Sequence, residues 1–310
     1  MPLTAALLTP TPVLAKHIAR VLCCAGVTPT VVTDVAALEK IIEGGIDLVC
    51  LGGDSLDHVV PSLKKQPRTL ALVWSDDKAS RLVVAAPALH QLNNVFGLRY
   101  PAAPPRSWEL LRVVRRLTGA RARPEGYLDW GATVHRCSPA STAMLDQAVA
   151  EVEEFASSVN NRRFGSSMAE VAHELLMNAM YDAPVGPTGE PLFAFRRSEA
   201  IELGAEQRPE LIYGCDGARF VVSVADPFGG LRREHVFGGL ARALASATLD
   251  RSHGGAGLGM AVVFQATTLL FFDVIRGQRT EATAVLELDV PQRELRTLPR
   301  SVHFFQQEPS

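Results

Sequence analysis

Glu174, Asn178 and Asp182 follow one another at intervals of four within the stretch Glu170-Val-Ala-His-Glu-Leu-Leu-Met-Asn-Ala-Met-Tyr-Asp-Ala183. On an α-helix that spacing places a carboxylate, an amide and a second carboxylate on one side, within roughly a quarter-turn of each other. Such a row can bind a hydrated cation, because Mg2+ keeps several waters and takes only one or two oxygens from protein. The same row would also suit the solvated face of an amphipathic helix, so other residues must decide between the two. His173-Glu174 begins like the HExxH zinc motif, but Met177 stands where the second histidine would be.

The helix that carries the row must be anchored. Met168, Val171, Ala172, Leu175, Leu176 and Ala179 recur at helical spacing and form a stripe for a core. A preceding helix starts at Ser138-Pro139 and presents Leu145, Ala148, Val149, Val152, Phe155, Ala156 and Val159. Before it, residues 132–135 read as a strand, which makes His135 structural. Downstream, residues 210–215 and 218–225 flank Asp216-Gly217, the signal of a tight β-hairpin, and the second strand runs into Asp226-Pro-Phe-Gly-Gly230.

A helix over residues 240–247 then leads to Arg251-Ser-His-Gly-Gly-Ala-Gly-Leu-Gly259, which opens a helix over 260–267. Glycines let backbone amides approach an anion, and the helix that begins there adds the positive end of its dipole. A phosphate site follows. No strand precedes the glycines, which excludes a dinucleotide fingerprint, and a Walker loop is excluded for want of Gly-Lys-Ser/Thr. Residues 269–275 and 280–288 form a second hairpin around Arg276-Gly-Gln-Arg279. The Pro- and Gly-rich residues 184–209 read as an insertion or long loop with no assignable role.

In this order the three motifs resemble those of the GHKL ATP-binding domains of histidine kinases, anti-sigma-factor serine kinases, gyrase-type topoisomerases and Hsp90. Glu174-Leu-Leu-Met-Asn178-Ala looks like the N box, Asp226-Pro-Phe-Gly-Gly230 like the G1 box and Gly255-Ala-Gly-Leu-Gly259 like the G2 box. The resemblance implies a Bergerat-type α/β sandwich with a mixed sheet over residues 132–295, binding ATP and Mg2+. It implies that Asn178 reaches the metal and phosphates, with Asp182 beside it, and that Glu174 is the catalytic base. Asp226 would accept the adenine amino proton, followed by Gly229 and Gly230. Gly255, Gly257, Leu258 and Gly259 would give backbone to the phosphates, Arg251 or His253 would close a lid, and Thr283 would add a hydroxyl to the pocket. Phe228 departs from the family's Asp-x-Gly-x-Gly and would narrow the adenine pocket. The lid would span residues 231–254, a helix hung between Gly238-Gly239 and Gly254-Gly255.

Ahead of this domain, residues 1–120 alternate strands (5–8, 30–33, 46–51, 70–74, 94–98) with helices (13–25, 35–42, 79–89, 108–117), the pattern of a parallel sheet covered on both faces. The order resembles the flavodoxin-like receiver domain of bacterial response regulators, with a five-stranded parallel sheet. Its chemistry is missing. Thr9-Pro10, Gly52 and Tyr100-Pro101 stand where a receiver has its acids, its phosphorylated aspartate and its Lys-Pro. A pseudo-receiver that acts by binding is therefore expected. Residues 121–131, with Pro124 among glycines, form the linker, and residues 296–310 a C-terminal tail.

Composition bounds the remaining possibilities. With 310 residues, 47% hydrophobic and 21% charged, the chain suits about two globular domains. A net charge of -2 gives no reason to expect nucleic acid, and the Arg112, Arg115, Arg116, Arg121, Arg123 cluster is local. Five cysteines without zinc spacing read as reduced, buried thiols, which points to the cytoplasm. No apolar run is long enough to span a membrane. One strand, one helix and the N-box helix make a layout that most resembles the anti-sigma-factor serine kinases. The partner would be a signalling protein or a second copy of this chain. The alternative is an ATP-binding adaptor that works without turnover.

Overall fold

The computed structural model describes the whole chain except residues 1, 10, 79, 101–102, 121–122, 187, 246–257, 296 and 309–310. The protein is α/β, and the described strands pair both in parallel and in antiparallel. The chain divides into two compact units, one made of Met1–Ala122 with Thr297–His303, the other of Arg123–Arg296 with Phe304–Ser310.

In the first unit, β1 (Thr4–Leu8), α1 (Pro12–Cys24), β2 (Thr28–Val32), α2 (Val35–Glu43), β3 (Leu48–Gly52), α3 (Leu56–Lys65), β4 (Leu70–Ser75), α4 (Arg81–Ala85), β5 (Leu92–Gly97) and α5 (Ser107–Leu117) follow in order. The strands pair in parallel as β2-β1-β3-β4-β5. Runs such as Ala5–Leu8 and Leu48–Leu51 are fully buried because helices cover both faces of a parallel sheet. Three features differ from expectation. Helix α3 occupies a stretch to which no element is assigned from sequence, because Leu56, Val59 and Leu63 supply a buried stripe despite Pro61 within the helix. Helix α4 is shorter than residues 79–89, because Pro87 turns the chain into a 3-10 turn. The sheet is not purely parallel, since Val302 and His303 pair antiparallel with Val95 and Asn94.

The second unit holds β6 (Thr133–Cys137), α6 (Thr142–Val159), α7 (Arg162–Met177), β7 (Glu210–Cys215), β8 (Arg219–Asp226), α8 (Arg233–Ala245), α9 (Leu258–Ala266), β9 (Leu269–Ile275), β10 (Arg279–Glu287) and the end of β11 (Ser301–Gln307). Antiparallel pairing gives the order β9-β10-β8-β7-β6. Phe220 of β8 packs on Phe155 of α6 and edge-on against Phe164 of α7, so the even-numbered residues of β8 face the helices. Phe164 and Phe220 are fully buried, worth about 2 kcal/mol each. Helices α6 and α7 touch at Gly165, where a Cβ would come 2.7 Å from the Glu153 carbonyl. His135 stacks on Tyr213 at 5.0 Å and meets Phe155 edge-on at 4.6 Å, the structural role its strand position implies.

Other expectations are corrected here. The residues read as a tail contain β11. Helix α8 starts at Arg233, so Gly238 and Gly239 lie inside it and cannot hinge a lid; residues 246–254 of that lid fall outside the described residues. Cys50 and Cys215 are buried, Cys137 is half-buried, but Cys23 and Cys24 are exposed at the end of α1. No helix among the described residues is long and apolar enough to cross a membrane.

Candidate functional site

Helix α7 is held at its start by Asn161, whose Oδ1 accepts from the Phe164 amide at 3.0 Å. Its buried stripe is the expected one: Met168, Val171, Ala172, Leu175 and Leu176. The row of polar residues is not carried by a regular helix. From Asn178 to Asp182 the chain makes a π turn, and the Ala183 amide donates to the Asn178 carbonyl at 2.9 Å. A bond from each amide back to the fifth residue before it widens the turn, so Asp182 is advanced differently from Asn178 than in an α-helix, and π turns of this kind cluster at functional sites.

Two elements, β8 and α9, converge on this helix and the π turn that continues it. The π turn touches β8, whose last residue is Asp226, and α7 packs on α9. Gly259, in the first turn of α9, lies directly against Glu174: a Cβ there would overlap Oε2 and come 2.9 Å from Cδ. Glu174 and Gly259 are thus neighbours across two helices, and Leu258 begins α9. Arg251, His253, Gly255 and Gly257 lie outside the described residues.

Asp226 is 7% exposed on the helix-facing side of β8. Its Oδ1 accepts from the Phe228 amide at 2.9 Å and the Gly229 amide at 3.3 Å. Burial pushes its carboxyl above the usual carboxylate range, against those bonds and those from Thr280. Gly229 adopts φ +62, and a Cβ would come 2.7 Å from the Gln278 amide nitrogen while overlapping the Ile275 carbonyl. This glycine is therefore required by close backbone approach. Gly230 is exposed, with open space around it, and Phe228 is half-buried.

Thr283 is not brought to this side. It pairs with Ser223, to whose hydroxyl it is bonded at 2.7 Å, and strand alternation turns both away from the helices. Phe271, also opposite Thr283, packs on Tyr127 on that far face. The residue opposite Asp226 is Thr280, which hydrogen-bonds to its carboxylate.

Arg197, from the unassigned segment 184–209, was missed as well. Its Nε donates to Asp182 Oδ1 at 3.1 Å, and its Nη2 donates to Asp182 Oδ2 and, at 3.2 Å, to Asn178 Oδ1. No sequence signal distinguishes this arginine from its neighbours.

These residues fit a magnesium nucleotide in part. A buried acceptor at a strand end, a carboxylate beside a glycine of α9, and an amide oxygen are all present. Among the described residues no cluster of three His, Cys, Asp or Glu could hold a metal by itself, so Mg2+ would need the phosphates as further ligands. Comparison with protein-family models finds none that matches the chain, and comparison with curated proteins finds no similar sequence.

Proposed function

We propose that the second unit is a GHKL-type, Bergerat-fold domain that binds Mg-ATP and acts on a partner signalling protein, most like an anti-sigma-factor serine kinase. The observation that carries the reading is Glu174 seated against Gly259, which joins the N-box helix to the glycine-rich helix start. Asn178 would supply one oxygen to Mg2+, which neutralises phosphate charge when bound. When ionised, Asp226 is acceptor-only, and in that state it would accept a hydrogen bond from the adenine amino group, where guanine offers a carbonyl instead. Glu174 would orient the partner's attacking hydroxyl and take its proton.

The first unit fits a flavodoxin-like pseudo-receiver. Its β2-β1-β3-β4-β5 order supports that reading, and the indole nitrogen of Trp74 would be 3.4 Å from a Cβ on Gly52, where a phosphorylated side chain would have to stand. A second reading, an ATP-binding adaptor without turnover, is favoured by Phe228 at the first glycine of the G1 box.

Calorimetry with Mg-ATP tests the proposal. Binding should be weakened strongly by Asn178→Ala, while Asp226→Asn should weaken it and erode the preference for adenine over guanine. Wild-type protein that binds no nucleotide at millimolar concentration removes the reading. Phosphate release without partner, or transfer to it, then separates kinase from adaptor.

A further inference from the structure

We infer that Arg197 is an anion-binding residue of the same site, aimed by Asp182, and that it takes the phosphate chain of the nucleotide. The inference rests on the nucleotide-binding reading above. Its basis is how firmly the segment is tied down. The Tyr181 hydroxyl donates to the Glu199 carbonyl at 2.8 Å, the Ile201 amide to Thr142 Oγ1 at 2.9 Å, and the Leu203 amide to the Ala140 carbonyl at 2.7 Å. Ile201 and Leu203 are buried. Arg197 stands two residues before the first of these anchors, so its backbone is placed before any ligand arrives.

The guanidinium is oriented as well. Nε and Nη2 form a fork on the Asp182 carboxylate, and Nη2 also meets Asn178. Nη1 makes no hydrogen bond to any described residue, and the side chain is 40% exposed. A planar guanidinium held along one edge presents its other donors in a fixed direction, the geometry that suits a phosphate oxygen. Charge balance argues the same way. Glu174, Asp182 and Asp226 place three carboxylates on the helix and strand that would receive a polyanion, and Arg197 offsets one of them. Asp182 then becomes a positioning residue rather than a ligand of the cation. Asn178 Oδ1 keeps its second lone pair for the metal.

The test is calorimetry on the full chain with Mg-ATP, Mg-ADP and adenosine, comparing wild type with Arg197→Ala, Arg197→Lys and Asp182→Asn. Arg197→Ala should weaken both phosphate-bearing ligands at least about tenfold, leave adenosine within about twofold, and flatten the salt dependence of Mg-ATP binding. Arg197→Lys should keep the salt dependence while losing affinity, because the charge stays and the fork is lost. Asp182→Asn should lose less than Arg197→Ala. If wild type binds Mg-ATP and Arg197→Ala binds it as tightly or more tightly, Arg197 merely covers the helix end; the inference falls and the nucleotide reading stands. An equal loss for adenosine also overturns it, since the effect would then be on the pocket as a whole. A wild type that binds none of the three ligands removes both.

Discussion

Gly259 and Glu174 are packed so closely that no methyl group fits between them: a Cβ on the glycine would overlap the carboxylate. The far end of a glutamate side chain can swing aside, so the fold should tolerate the change while the carboxylate moves. Replacing glycine by alanine in a helix itself gains up to about 1 kcal/mol. Gly259→Ala should therefore unfold within about 1 kcal/mol of wild type in urea, yet lose most of any phosphoryl transfer or ATP hydrolysis. The double variant with Glu174→Ala relieves the overlap and should stay inactive, since the base itself is gone. Unaltered turnover by Gly259→Ala would show that the placement of Glu174 does not matter.

Gly229 and Gly230 are adjacent and should behave oppositely. At Gly229 the backbone has φ +62 and the obstructing atoms are the main chain of Ile275 and Gln278, which cannot yield. Gly229→Ala should cost about 3 kcal/mol or more. Gly230→Ala meets open space and should stay within about 0.5 kcal/mol of wild type. Denaturant midpoints of the two variants check both.

The first unit should weaken in mild acid through His303. Its Nε2 donates to Glu109 Oε1 at 2.9 Å, and both side chains are fully buried, with Arg106 and Ser301 also on Glu109. Burial lowers the His303 pKa against the pull of Glu109. Glu109 is itself held below the usual carboxylate range, its burial outweighed by its bonds to His303 and by Arg106. For a histidine with a depressed folded pKa, the unfolded chain takes up the proton first. Stability is then full above the unfolded value of about 6.5 and falls as pH drops below it. The Glu109 contribution is lost later, below about 4.3, the unfolded value for glutamate. Unfolding midpoints should decline from pH 7 to 5 in wild type and much less in His303→Gln. Parallel profiles for the two proteins would place the acid sensitivity elsewhere.

Small phosphoryl donors should leave the first unit unmodified. Gly52 ends β3, and with Thr9-Pro10 in place of the acids and Tyr100-Pro101 in place of Lys-Pro even Gly52→Asp should gain no phosphate from acetyl phosphate, as mass spectrometry would read. An adduct in wild type on Asp54, in the 3-10 turn after β3, or on Asp57, in the first turn of α3, would mean that this stretch forms an active site.

The sequence was most readable where the determinants are local. Asp216 Oδ1 accepts from the Ala218 and Arg219 amides, and Gly217 has φ +87, so one dipeptide sets the β7–β8 hairpin. The stripe of α7 is written in residues three and four apart. What was lost is non-local. Strand β11 pairs with β5 some two hundred residues earlier in the chain, which no periodicity within residues 296–310 can reveal. Thr280 differs from Thr283 only by register, and a slip of three residues turns a side chain to the other face. The π turn at Asn178 has no compositional signature, and the role of Arg197 depends on where a long segment folds back.

The assignment of Thr297–His303 to the first unit also orders events during synthesis. The second unit is encoded inside the first, between α5 and the strand that completes the edge beside β5. At ribosomal speeds of about 5–20 residues per second, the first unit waits roughly ten seconds or longer for its final segment. Until then β5 has no neighbour on that side, and a nascent chain in this state would be exposed to pairing with other chains. The embedded second unit would act as a timer, its length setting the delay before the last strand is made.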